Sequence, residues 1–168
     1  MKTTYKSILI AAITSTTIAA NAEQIDVTST DTTSFEIGGT VTALCKVSNY
    51  DGGTRSTTLD LTSSTAQTTA SVSSWCNTGQ ATVSTTYTSL NGGKLKGTAN
   101  GGEIPYLIDI SGTSTDLNLA SAQTVNQVTG SGISGDQATR SVKVKPQING
   151  FETADTYRDT ITVTVAPN

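Results

Sequence analysis

From Ile25 to Val47 the chain alternates with a two-residue period. The odd positions read Ile25, Val27, Ser29, Asp31, Thr33, Phe35, Ile37, Gly39, Val41, Ala43, Cys45 and Val47, and the even positions between them are polar or Gly except Leu44. Such alternation gives a strand one buried and one wet face. The tract is several times longer than the usual strand of about 5–6 residues, so it divides into more than one strand.

The same period recurs downstream. Leu59 and Leu61 alternate with Thr58, Asp60 and Thr62; Ala70, Val72, Ser74 and Cys76 alternate with Ser71, Ser73 and Trp75. Further runs carry Ala81, Val83, Thr85 and Tyr87, then Ile104, Tyr106, Ile108 and Ile110, then Val142 and Val144, and finally Ile161, Val163 and Val165 between threonines. Asn91-Gly92-Gly93, Asn100-Gly101-Gly102, Asn149-Gly150 and Asp51-Gly52-Gly53 punctuate these runs as turns. No helical 3.6-residue period lasts beyond a turn or two. Many short strands with spaced turns predict an all-β sandwich or barrel. Residues 111–140, rich in Ser, Thr, Gly, Asn and Gln, read as a long irregular excursion.

Residues 1–22 have the plan of a secretory signal: Lys2 and Lys6, an apolar middle around Ile8–Ala12 with Ile13 and Ile18, and a small-x-small site at Ala20-Asn21-Ala22. The middle is too short and polar for a membrane anchor, so an exported chain beginning at Glu23 is expected, and not an integral membrane protein. That chain keeps all 13 acidic residues and eight of the 10 basic ones, giving 8 − 13 = −5 with no His. This charge disfavours nucleic acid and anionic membranes as partners. Lys143 and Lys145 share one strand face and read as a solvated strand edge.

In an oxidising compartment the only two cysteines, Cys45 and Cys76, have one possible pairing. A metal site or a reactive thiol are the competing readings, and both lack supporting His or further Cys. Without His no Ser-His-Asp or Cys-His arrangement is available, the carboxylates are scattered, and no Gly-rich segment has a phosphate-binding plan. Asp155 and Asp159 lie close enough in sequence to approach one another, but read better as a turn or strand entry. No enzyme and no cofactor are expected.

Three segments together resemble a known family: Val41-Thr42-Ala43-Leu44-Cys45-Lys46-Val47-Ser48, Trp75-Cys76-Asn77-Thr78-Gly79, and the ending Tyr157-Arg158-Asp159-Thr160-Ile161-Thr162-Val163-Thr164-Val165. The chain is similar to the spore coat protein U domain, the module of archaic chaperone–usher pilus subunits, over most of residues 35–165. The resemblance implies an incomplete immunoglobulin-like β-sandwich lacking its last strand, with an N-terminal donor-strand extension. It implies a structural subunit of an adhesive surface fibre, exported to the periplasm. The partners would be a periplasmic chaperone, an outer-membrane usher and other pilus subunits joined head to tail. Carried onto this chain, it divides the sequence into a signal (1–22), a donor extension (23–33) and the pilin domain (34–168). Ile25 and Val27 become donor knobs, with Ser29 as a shallow third and Phe35 onward as the domain's own first strand. Ile161, Val163 and Val165 would line the acceptor groove.

The alternative is a free-standing secreted sandwich that binds carbohydrate or a host surface through Tyr50, Trp75 and Tyr87 and the 111–140 excursion. A small outer-membrane barrel is disfavoured by the scarcity of aromatics for interfacial girdles.

Overall fold

A computed structural model describes residues 32–50, 55–129 and 137–168. The chain divides into two units, Met1–Gly39 and Thr40–Asn168. In the first, the described residues 32–39 are exposed and carry no regular secondary structure. The described residues of the second form ten strands: β1 (Cys45–Asn49), β2 (Gln67–Cys76), β3 (Thr82–Ser89), β4 (Lys94–Gly97), β5 (Glu103–Ile110), β6 (Ser114–Asn118), β7 (Gln123–Val128), β8 (Ala138–Pro146), β9 (Tyr157–Arg158) and β10 (Ile161–Ala166). The described residues contain no helix. The all-β expectation is met.

The strands form two antiparallel sheets. The larger runs β1-β2-β8-β5-β4-β9, with β6 pairing the same edge of β5 as β4; the smaller runs β10-β3-β7. One core lies between them. Val72 of β2, Leu95 of β4, Ile104, Tyr106, Ile108 and Ile110 of β5, and Val142 and Val144 of β8 meet Tyr87 of the smaller sheet, with Leu119 joining from the loop after β6. Val125, Ile161 and Val163 of the smaller sheet pack against this cluster. The alternation in β5 and β8 sends the β-branched residues inward and leaves Lys143 exposed, as a strand with one buried face requires.

The chain reverses at Asn91-Gly92-Gly93, where Gly92 and Gly93 have φ of 65° and 74°, a region that glycine enters without steric cost. A Cβ on Gly93 would lie 3.1 Å from the backbone of Leu119 and Ala120.

Four expectations need correction, and one strand went unread. The domain's first strand begins at Cys45, not Phe35: residues 35–44 keep the alternating pattern but belong to no strand among the described residues. Alternation records which way side chains point, whereas a strand also needs a neighbour. Residues 58–62 are likewise not a strand. Leu59 and Leu61 do turn inward, but the Gln67 side-chain amide supplies what a ladder would, accepting from the Asp60 N–H and donating to the Asp60 carbonyl, both at 2.7 Å.

The 111–140 region is not an irregular excursion, because it holds β6, β7 and the start of β8. Its polar composition suits strands at sheet edges with one wet face: β6 and β7 each pair with a single strand. β4 had no counterpart in the sequence pattern. Lys143 and Lys145 do not mark an edge, since β8 is flanked by β2 and β5. They lie on the outer face of an interior strand, and Lys145 Nζ reaches Asp116 Oδ1 at 2.9 Å.

Candidate functional site

The residues expected to line a groove fall on β10, an edge strand. Its one partner among the described residues is β3, with Ile161 opposite Ser89, Val163 opposite Tyr87 and Val165 opposite Thr85. Ile161, Val163 and Val165 are half-buried while Thr162, Thr164 and Ala166 are exposed, so the apolar side faces inward. The far edge of β10 has no partner strand among the described residues. β10 and β1 come within 8 Å, Cα to Cα. They approach without forming a ladder among the described residues.

Near Ile161 lies a cleft of about 760 Å³. Leu59, Leu61, Ala70, Leu95, Val144 and Ile161 form its apolar lining, and Asn49, Asp155 and Arg158 contribute polar groups. Farther along β10 the interior becomes more polar. Tyr87 is fully buried and its hydroxyl accepts a hydrogen bond from Gln127 Nε2 at 2.6 Å, with buried Thr85 next to it on β3. Burial pushes the Tyr87 hydroxyl's pKa upward, and the Gln127 bond partly offsets this.

The start of β10 is held by Asp159. Its Oδ2 accepts the Tyr106 hydroxyl and the Ser89 hydroxyl, each at 2.6 Å, and its Oδ1 accepts the backbone N–H groups of Thr160 (2.7 Å) and Asn91 (3.0 Å). Ser89 Oγ in turn accepts from the Gly93 N–H at 2.7 Å. One carboxylate thus joins the β3–β4 turn, the core strand β5 and the entry to β10. Burial first, and then the bond to Asp159, hold the Tyr106 hydroxyl well above the usual tyrosine pKa.

Just upstream, Asp155 accepts backbone N–H groups from Asn100 (2.7 Å), Ala99 (3.0 Å) and Thr156 (2.6 Å). These bonds, that from Asn100 foremost, lower its pKa. Tyr157 donates its hydroxyl to the Thr153 carbonyl at 2.6 Å, and its ring oxygen fills the space a Cβ on Gly102 would need. The two aspartates serve separate turns, so the reading of this segment as a strand entry holds.

Cys45 and Cys76 are joined in a disulfide and face one another across β1 and β2. Beyond them Asn77 continues the clamp: its N–H donates to the Leu44 carbonyl at 3.0 Å, its Oδ1 accepts from the Leu44 N–H at 2.7 Å, and its Nδ2 donates to the Thr42 carbonyl at 2.9 Å. This accounts for an Asn directly after the second cysteine.

Ile25, Val27 and Ser29 lie outside the described residues. The three aromatics of the carbohydrate reading are not one surface: Tyr50 is exposed, Trp75 is half-buried on the outer face of β2, and Tyr87 is in the core. The Tyr87 assignment is overturned because its odd-numbered neighbours Val83 and Thr85 share the buried face of β3. Sequence reasoning missed the Asp159–Tyr106–Ser89 cluster, whose members are 17 and 53 residues apart along the chain. It also missed the part Leu59 and Leu61 play in the cleft. Compared with protein-family models and with curated proteins, the chain finds no match.

Proposed function

We propose that this protein is a structural subunit of an adhesive surface fibre, of the spore coat protein U type. Its domain is an immunoglobulin-like sandwich short of its last strand, and subunits join by donor-strand exchange. The observation that carries this reading is the edge strand β10. The outer edge of β10 has no partner strand among the described residues, a cleft of mixed polar and apolar lining lies at its start, and Ile161, Val163 and Val165 face inward. An exposed strand edge is a template for pairing that soluble proteins ordinarily blunt, and an added strand satisfies it with main-chain hydrogen bonds while alternate side chains enter the interior. The Tyr157–Thr153 bond near the start of β10 adds support, since a tyrosine returning its hydroxyl to upstream backbone is a corner device of immunoglobulin-like sandwiches.

On this reading a periplasmic chaperone covers the outer edge of β10 after export, and an outer-membrane usher replaces it with a strand from the next subunit. A contact of this kind does not close on itself, so it builds an open head-to-tail fibre that serves adhesion and biofilm formation. Expressed with its chaperone and usher, the chain should assemble into surface fibres seen by electron microscopy, whose subunits separate only on strong denaturation. A chain that stays monomeric and fully stable with no added strand would sink the proposal.

A further inference from the structure

Asn-Gly occurs three times in the chain, at Asn91-Gly92, Asn100-Gly101 and Asn149-Gly150. The three asparagines are held differently. Asn91 is half-buried; its N–H donates to Ser89 Oγ at 3.2 Å and Asp159 Oδ1 at 3.0 Å, and its Nδ2 donates to the Arg158 carbonyl at 3.1 Å. Asn100 is exposed, but its N–H donates to Asp155 Oδ2 at 2.7 Å and its Nδ2 to the Ala154 carbonyl at 2.9 Å. Both side-chain amides are thus tied to the segment that leads into β10. Asn149 is tied only to its own turn.

In that turn the Glu152 carboxylate accepts the Asn149 N–H through Oε1 at 2.6 Å and the Gly150 N–H through Oε2 at 3.0 Å, while Asn149 Oδ1 accepts the Phe151 N–H at 3.0 Å. Asn149 Nδ2 has no hydrogen-bond partner among the described residues. Asn149 and Gly150 are exposed, and a Cβ on Gly150 would meet nothing within 4 Å. With no side chain of its own, Gly150 leaves its amide nitrogen uncrowded. Backbone N–H groups, that of Asn149 foremost, hold the Glu152 carboxyl below the usual carboxylate range, so it is ionised at neutral pH and able to accept. We propose that Asn149 is a self-modification site, which deamidates through a succinimide with Gly150 as nucleophile and Glu152 as the group that receives its proton.

In the first step the Gly150 nitrogen bonds to Asn149 Cγ as its proton passes to the Glu152 carboxylate. Negative charge develops on Asn149 Oδ1, where the Phe151 N–H already donates. The Cγ–Nδ2 bond then breaks, and ammonia leaves with the proton returned by Glu152. Water opens the ring: attack at Cγ gives Asp, and attack at the Asn149 backbone carbonyl carbon gives isoaspartate. Either product adds a negative charge, and the second lengthens the backbone between β8 and β9 by one methylene. Asn91 and Asn100 share the following glycine but not the arrangement. Their leaving nitrogens are held by carbonyls, and among the described residues no carboxylate accepts the N–H of Gly92 or Gly101.

The inference does not depend on the fibre reading. Its test incubates the folded full-length exported chain in mildly alkaline buffer, beside a sample kept unfolded in urea. Peptide mass spectrometry follows each asparagine, with electron-transfer fragmentation separating Asp from isoaspartate. In the folded chain Asn149 is expected to convert at least tenfold faster than Asn91 or Asn100, and no more slowly than it does in urea. Glu152→Gln should slow Asn149 at least threefold in the folded chain and change its rate in urea less than twofold. Conversion of Asn91 or Asn100 as fast as that of Asn149, slower conversion of Asn149 when folded than in urea, or an unchanged rate in folded Glu152→Gln each overturns the proposal. The first two comparisons use the unaltered chain, so they decide the matter even where the variant fails to fold.

Discussion

The Asp159 carboxylate accepts the Tyr106 hydroxyl at 2.6 Å, across 53 residues of sequence, and so ties the entry of the edge strand β10 to the core strand β5. Because the same carboxylate also holds Ser89, Asn91 and Thr160, the position of β10 depends on it. Replacing Asp159 with Ala should destabilise the domain by about 3 kcal/mol or more, since several part-buried donors lose a charged acceptor at once. Tyr106→Phe removes one of those donors and should cost about 1–2 kcal/mol. Urea unfolding of the two variants under oxidising conditions measures both, and equal effects would show that Asp159 has no organising role beyond the single bond.

Tyr106 also sets an alkaline limit. Its folded pKa is raised, so the folded state prefers the neutral phenol. The associated stability is complete below the unfolded tyrosine value of about 10 and is lost as pH rises above it. Stability measured from pH 8 to 11 should fall more steeply in the unaltered chain than in Tyr106→Phe.

Asp155 acts in the opposite range. Its folded pKa is lowered by the backbone N–H groups of Asn100, Ala99 and Thr156. It therefore contributes stability above the unfolded aspartate value of about 3.9, and that contribution disappears as pH falls through the lower folded value. Asp155→Asn should flatten the loss of stability between pH 4 and pH 2, read by thermal melts across that range.

The Cys45–Cys76 disulfide closes a sequence separation of 31. Limiting the unfolded chain in this way stabilises by roughly 3–4 kcal/mol. Cys45→Ala with Cys76→Ala should lower the urea midpoint accordingly, and dithiothreitol should lower that of the unaltered chain by the same amount. The Asn77 bonds to Leu44 and Thr42 remain available in the reduced chain.

On β10 the two faces should respond differently. Val163→Asp places a carboxylate on the half-buried side and should abolish uptake of a donor peptide, whereas Thr162→Lys and Thr164→Lys, on the exposed side, should change it less than threefold. Peptide-binding titrations separate the two. A loss of binding in the lysine variants equal to that in Val163→Asp would place the docking face on the wrong side of the strand.

The two-residue period was enough to read the all-β class and the inward faces of β2, β3, β5, β8 and β10, because burial of alternate side chains is a local property of extended backbone. The disulfide was legible for a different reason: two cysteines allow one pairing. Pairing partners were not legible. Residues 35–44 and 58–62 have strand patterning, yet the first joins no strand among the described residues and the second is satisfied by the Gln67 side chain. β6 and β7 are strands despite polar sequences, since each needs only one neighbour. Tyr87 looked like a surface aromatic until the fold put it against Gln127.

The long alternating tract before Cys45 shows where the division lies. Its sequence determined that Phe35, Ile37 and Val41 share one face of an extended segment. Only the tertiary structure decided that this face stays uncovered, that β1 starts at Cys45, and that β10 ends the smaller sheet with an edge unpaired among the described residues. Alternation is encoded residue by residue. An unpaired edge exists only once every other strand has found its place, and no local pattern records which strand is left without a neighbour.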